Sequence, residues 1–246
     1  GASIGGVAVG ASIGTGVAVN LIGGTIDQTV DGKTKTTSSA ALVIEALSRD
    51  TTIDAKGNLS VTAVSGQTIR ATVAAGSVAI SGGAVALSAA GAGAGAHNRI
   101  GAQVSATIEG AGGKITAGDV TVAASDASTL SVETGAASVA ASFGVFGSAS
   151  FSLAVSAASN AIANIVTASI SNLGSAGGLT ARGAVNVTAT ERASLTSRSR
   201  AAALAVDAST FGIAIAGGGA GTGDTVTSRT SAGIFGSKVT AAGDVS

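Results

Sequence analysis

The sequence predicts an all-β chain, organised as a β-solenoid of stacked repeats. Two sequence markers recur in phase about every 62 residues. Within each repeat, residues such as Val120, Val122 and Ala124 alternate with Thr121 and Ala123, as the two faces of a strand require. No useful stretch shows the spacing of an amphipathic helix, and the 246 residues include 38 Gly and no Pro.

The repeat begins with a motif of the type Ile-Thr-Ala-Gly-Asp-Val-Thr-Val-Ala-Ala. Its copies start at nearly equal steps along the chain, at Ile53, Ile115, Leu179 and Val239. A second marker, at Asn98, Asn160 and Asp224, keeps the same step. Self-similarity at a fixed period is the signature of a repeat architecture. We therefore expect one continuous solenoid, part of a longer repeat protein, with these repeats: 1–52 (partial), 53–114, 115–178, 179–238 and 239–246 (partial).

The small-residue stretches are predicted to be core strands. Ser81–Ala96 reads SGGAVALSAAGAGAGA, and similar stretches follow at 135–159 and 201–223. Small side chains on both faces favour strands that are covered on both sides. Because solenoid coils usually contain ~20–30 residues, we expect two or three coils per repeat.

The aromatic residues allow two interpretations. The five Phe residues are predicted to plug wider parts of the core, and an aromatic recognition stripe is the alternative. They are Phe143, Phe146, Phe151, Phe211 and Phe235.

The first repeat contains an insertion. Aligning Ile44 with Ile170 leaves about 14 extra residues after Asn20. Asp31-Gly32 lies between two alternating runs, which predicts a hairpin near 25–38, because a tight turn there needs positive φ. The insertion is either loop variation or a partner-contact site that includes Asp31, Gly32, Lys33 and Lys35.

Positive charge gathers at one place, Arg192, Arg198 and Arg200, which would share one face of an uninterrupted strand. This strip is either a solvated outer face or a contact for an acidic glycan or an anionic neighbour. Over the whole chain, 13 basic and 13 acidic residues balance. That balance gives no indication of a nucleic-acid partner.

Reactive groups are scarce. The chain has no Cys and one histidine, His97, for which we expect an exposed or stacking role. The glycine cluster at 217–224 is interpreted as a strand-to-turn segment rather than a nucleotide or calcium loop. We predict no catalytic, cofactor-binding or metal-binding residues, and a β-helical carbohydrate-active enzyme stays a remote alternative. Uncharged runs are interrupted by Ser, Thr, Asn and Gly, so no helical membrane span is predicted.

The cadence of residues 114–124, followed by Gly/Ala/Val alternation and then Asn160, Ala168 and Ile170, resembles the β-strand repeats of very large bacterial surface proteins. These include leukotoxin-like filamentous adhesins and autotransporter-type passengers. The resemblance implies a secreted, extracellular, elongated repeat domain used as a stalk or fibre.

The expected function is therefore structural: a segment of an extracellular bacterial fibre, filament, sheath or adhesin stalk that associates end to end with neighbouring repeats. The alternative is an adhesive module that binds a host or cell-surface glycan or protein through the insertion or the arginine strip.

Overall fold

A computed structural model describes residues 1–30, 33–174 and 177–246. This part of the chain forms 18 β-strands and contains no helix. The strands are β1 (Ala2–Ile22), β2 (Gly24–Val30), β3 (Lys33–Ser39), β4 (Leu42–Arg49), β5 (Ile53–Asp54), β6 (Leu59–Ser65), β7 (Thr68–Ile100), β8 (Ala102–Glu109), β9 (Lys114–Ala117), β10 (Val120–Asp126), β11 (Thr129–Ile162), β12 (Ile165–Ser171), β13 (Gly178–Ala181), β14 (Val185–Glu191), β15 (Ser194–Ala208), β16 (Gly212–Val226), β17 (Arg229–Phe235) and β18 (Val239–Ala241).

Four parallel sheets run through the described part of the molecule. Three contain short strands, in the orders β4-β8-β12-β17, β5-β9-β13-β18 and β6-β10-β14. The fourth contains the long strands, in the order β1-β7-β11-β15, and β16 also pairs with β11. This arrangement is compatible with a β-solenoid, in which parallel strands of successive coils stack on one another.

Each repeat makes a single coil, so the expectation of two or three coils per repeat is wrong. Val120 pairs with Leu59, its equivalent in the preceding repeat, and with Val185, its equivalent in the following repeat. The coil is larger than usual because β7 and β11 are 33 and 34 residues long. We number the coils by these repeats: β1 and β4 belong to coil 1, β5–β8 to coil 2, β9–β12 to coil 3 and β13–β17 to coil 4.

The short strands enclose the aliphatic core. Alternation places one face of β8, β9 and β10 inward, where Ile108, Ile115, Val120 and Val122 are almost completely buried. Ile170 and Leu179 occupy the same core one coil later. A fully buried Val, Ile or Leu contributes roughly 1.5–3 kcal/mol. This region therefore supplies most of the aliphatic burial in each coil.

The long strands fold back on themselves. In β11, Thr134 accepts a hydrogen bond from Ser156 (2.9 Å), and Ser142 lies 2.7 Å from Ser150, hydroxyl to hydroxyl. The register shift between Gly144 and Gly147 marks the bend. We call the part before the bend the outbound half, the part after it the return half, and the stacked pair of halves the lobe.

Ala and Ser fill the interior of the lobe near the bend. Ala79 and Ala140 are fully buried there, and the hydroxyls of Ser138 and Ser152 are 2.7 Å apart. Each buried hydroxyl named here has a partner, which offsets the cost of removing it from water. Methyl-sized side chains let the two halves approach closely, so a larger side chain would have to push them apart.

The lobe is covered on its inner face only, which corrects the prediction of strands covered on both sides. Outward positions of the described lobe face solvent even where they are apolar, for example Ile13 and Leu153. The sequence could not separate the two cases, because Ala, Ser and Gly suit both a buried face and a close-packed neighbour.

The prediction that the Phe residues plug the core is also wrong. Phe143, Phe146, Phe151, Phe211 and Phe235 are exposed by 51%, 70%, 42%, 78% and 54%. The gap between the two halves admits Ala and Ser, so aromatic rings are accommodated outside, mainly around the bend.

A ladder of side-chain amides explains the second sequence marker. Asn20 donates to Asn98 (2.7 Å), Asn98 to Asn160 (2.8 Å) and Asn160 to Asp224 (2.9 Å). Asn98 and Asn160 are buried, so losing one amide would leave its neighbour without a partner. Such an unsatisfied buried group costs about 1–3 kcal/mol.

The insertion in coil 1 forms an antiparallel pair of strands. In the register of β2 and β3, Gly24 is paired with Ser39 at one end and Val30 with Lys33 at the other. Ile44 aligns with Val104 and Val166, four residues before the position assumed from the sequence. The insertion is therefore longer than expected by the same four residues.

Packing inside the lobe predicts different effects for two adjacent alanines. Ala140→Leu should destabilise the fold by about 1–3 kcal/mol, because a larger side chain overpacks the fully buried site between the halves. Ala141→Leu should have little effect, because its side chain points outward. Urea unfolding of both variants measures the difference, and equal losses would contradict the folded-back lobe.

Candidate functional surfaces

Two of the four predicted contact residues of the insertion lie within the described structure. Lys33 and Lys35 are exposed on β3. Asp31 and Gly32 lie outside the described residues. On β2, Asp27 accepts a hydrogen bond from Thr36 at 2.6 Å, which ties the two strands together by their side chains.

The three arginines do not form one continuous strip. Arg198 and Arg200 share the outer face of β15, whereas Arg192 precedes β15 and lies outside any strand. Arg200 is 3.4 Å from Glu133 of coil 3, and Arg198 stacks on the same Glu133 in register. Exposed pairs of this kind contribute about 0–1 kcal/mol. The acidic partner reduces the net positive charge of this face.

A polar cavity of about 280 Å³ lies where the hairpin meets the return halves. His97 and Arg99 of coil 2 line it, together with Asp27 of the hairpin and Ser159 of coil 3. The Nε atom of Arg99 is buried there without a hydrogen-bond partner in the described structure. The cavity thus offers a guanidinium, an imidazole, a carboxylate and hydroxyl groups at close range.

Carboxylates stack at the corner between the short strands and the lobe. Asp126 and Glu191 are aligned in register on β10 and β14, and we call them with Asn164 the acidic corner. The side-chain amide of Asn164 donates to Asp126 (2.8 Å) and to Glu191 (3.1 Å). Burial raises the pKa of Glu191 and the neighbouring Asp126 charge adds to this, although hydrogen bonds from Asn164 and Ser228 partly offset both effects.

The acidic corner makes stability depend on pH. The ordinary pKa of a glutamate side chain is 4.5. Because the pKa of Glu191 is raised in the folded state, the folded protein binds more protons than the unfolded chain just above that pH. Stability should therefore decline as pH rises through the raised pKa of Glu191. Glu191→Gln should remove this part of the decline and be at least as stable as the wild type at neutral pH.

Urea unfolding of the wild type and Glu191→Gln over the acid-to-neutral range measures this difference. The matched control is Glu45→Gln, on an exposed position of β4, which should keep the wild-type profile. The raised pKa would be refuted if Glu191→Gln also kept that profile.

One extensive exposed apolar surface was not predicted from the sequence. It is the outer face of the return halves, where Val, Ile, Leu, Phe and Gly alternate with inward Ala and Ser. The available signal was the complete absence of charge from 85 to 95 and from 147 to 157, on outward as well as inward positions. The expectation that both faces of these strands are covered leaves no place for an exposed apolar surface.

Within the described ranges, no group of three or more His, Cys, Asp or Glu side chains is arranged to hold a metal ion. None of the described segments is a helix long and apolar enough to cross a membrane. No protein-family model, curated protein or solved structure matches the chain.

Proposed function

We propose that this chain is a β-solenoid segment of an extracellular bacterial fibre, filament or adhesin stalk, and that it associates end to end with identical or related segments. The single observation that carries the proposal is the parallel register, which is kept through four coils. Each added coil repeats the same backbone pairing and the same side-chain ladders, so the structure can extend along its axis without a new kind of contact.

The outermost strands support end-to-end association. β1, β4, β5 and β6 are terminal strands at one end of the described sheets, and β14–β18 include those at the other end. The outer edge of such a strand presents unpaired backbone N–H and C=O groups, which favour pairing with another strand. The described edges carry no proline, since the chain has none.

The side chains at one end also fit an additional coil. Ala214 of coil 4 is exposed, whereas Ser150 and Ser88, at the same position in coils 3 and 2, are fully buried. A following coil would bury Ala214 in the same way. Ala214 is therefore exposed at a free end and buried at a stacked end.

The variant Ala214→Lys tests the proposal. It should leave the single chain folded, because the lysine is exposed there. It should shorten or abolish filaments, because stacking would bury an unpaired charge. Cryo-electron microscopy of concentrated protein should show wild-type filaments with layers about 4.8 Å apart.

Ala202→Lys is the matched control, since Ala202 and its coil 3 equivalent Ala137 both face outward and are exposed. It should form filaments like the wild type. Wild-type protein that remains as short single particles at high concentration would refute end-to-end association, as would filaments of Ala214→Lys equal to those of the wild type.

The polar cavity favours a second candidate function, binding of an acidic glycan beside the hairpin. Arg99 carries the charge that recognises a carboxylate, and its buried Nε atom has a free donor in the described structure. Arg99→Gln should abolish retention on acidic glycan arrays. Arg70→Gln, on the exposed outer face of β7, should not. Equal retention of the two variants would refute this site.

A further inference from the structure

We propose that the outer face of the return halves is a lateral interface, and that its partner is the same face of a second copy running in the opposite direction. We call this surface the lateral face. Its four rows, one per coil, are the outward residues of 7–17, 85–95, 147–157 and 211–221. The proposal concerns a surface different from the stacking ends, so it goes beyond the proposed function.

The lateral face is apolar over an area suited to a stable interface. Thr15 is its one polar outward residue, and it carries no charged one. Its rows are about 11 residues long and its height is four coils, which gives a footprint of about 700 Å² per copy. Two copies would thus bury about 1,400 Å², within the usual range for specific interfaces. A monomer rarely exposes so large a continuous apolar surface.

In the half of the lateral face far from the bend, ridges and grooves alternate from coil to coil. Ile13 of coil 1 stacks on Gly91 of coil 2, which stacks on Leu153 of coil 3, which stacks on Gly217 of coil 4. The next two outward positions follow the same pattern, with Thr15-Gly93-Val155-Gly219 and Val17-Gly95-Ala157-Gly221. Over these three positions coils 1 and 3 therefore form ridges, and coils 2 and 4 form grooves.

The glycines of the grooves are not required by the chain's own packing. A Cβ atom at Gly91, Gly219 or Gly221 would meet nothing within 4 Å. None of these residues has positive φ. Glycine inside a strand weakens it, and it often marks a place where another backbone or ligand approaches closely. Here the glycines keep a groove open toward solvent.

An apolar cavity of about 470 Å³ also opens on this face and crosses all four coils. It is lined by the same three consecutive positions in each coil, including Ile13, Gly91 and Leu153. Apolar side chains from a facing sheet would enter this space.

Self-pairing with reversed direction brings each ridge of the alternating positions to a groove. A twofold axis parallel to the strands places coil 1 opposite coil 4 and coil 2 opposite coil 3, while equivalent strand positions stay aligned. At the two positions nearest the bend, Val7 faces Phe211 and Val9 faces Ile213. Every facing pair from Ala11 to Val17 and at the equivalent positions of the other coils contains at least one Gly or Ala. The pairs are Ala11–Ile215, Ala89–Phe151, Ile13–Gly217, Gly91–Leu153, Thr15–Gly219, Gly93–Val155, Val17–Gly221 and Gly95–Ala157.

A twofold axis parallel to the coil stack is the other face-to-face symmetry, and it would place each coil opposite itself. Centred on the rows, it would set Phe151 against Leu153 and Val7 against Val17, while large residues of coils 2 and 4 would meet Gly. Sheet interfaces need side chains that interdigitate at native density. The two arrangements differ at one testable pair, because only the reversed one places Gly91 opposite Leu153.

The test uses chains that carry Ala214→Lys, so that end-to-end stacking does not obscure lateral pairing. Sedimentation equilibrium should show a reversible dimer. Adding Gly91→Leu should weaken dimerisation at least about tenfold, because the new side chain meets Leu153 of the second copy. Gly135→Leu is the matched control, on the outer face of the outbound half, where a Cβ also meets nothing within 4 Å.

A compensating variant tests the direction of pairing. Gly91→Leu combined with Leu153→Gly exchanges the two members of a predicted facing pair, so dimerisation should return toward the level without these two changes. Circular dichroism and urea unfolding establish that all these variants are folded.

A chain that stays monomeric at every concentration would overturn the proposal. Two further results would do so as well: Gly91→Leu with unchanged dimerisation, and a double variant without recovery. Binding of the monomeric chain to phosphatidylcholine vesicles through this face would replace the second copy with a lipid surface, and would also overturn it. End-to-end association is judged separately from filament length in chains with Ala214, so the two proposals can fail independently.

Discussion

The parallel backbone register is the constraint on which the rest of this structure depends. Because each strand pairs with the strand one repeat away, each side chain lies directly above and below its equivalents. Equivalent amides then form a ladder through Asn98 and Asn160, and equivalent hydroxyls line the lobe. The same constraint has a cost, since it also stacks like charges, as with Asp126 and Glu191.

Features that depend on local pattern and spacing could be predicted from the sequence. Alternation indicated strands, because a strand has two faces. The steps between Asn98, Asn160 and Asp224 indicated the repeat, and the ladder gives those residues a physical reason to recur. The antiparallel pair β2–β3 lies where the Asp31-Gly32 dipeptide pointed to a hairpin, although those two residues are outside the described ranges.

Features that depend on what covers a strand could not be predicted. Alternation tells that Ile13 and Ser12 point in opposite directions, but not which direction contains the core. Coil size does not follow from the usual length of a solenoid coil, because bends at Gly82–Gly83 and Gly144–Gly147 let one strand supply two layers of the lobe. Hydrophobicity alone predicts that the Phe residues lie inside, although the space between those layers is too narrow for a ring.

The insertion shows how this architecture can acquire new parts. Gly101 alone joins β7 to β8 in coil 2, whereas the whole segment 23–41 joins β1 to β4 in coil 1. The backbone pairing between coils 1 and 2 is nevertheless kept on both sides of the insertion. Asn20 pairs with Asn98 before it, and Leu42 pairs with Ala102 after it. This corner therefore tolerates inserted chain. A foreign loop or a small domain can be displayed sideways here, because the strand pairing that builds the stack lies outside the inserted segment.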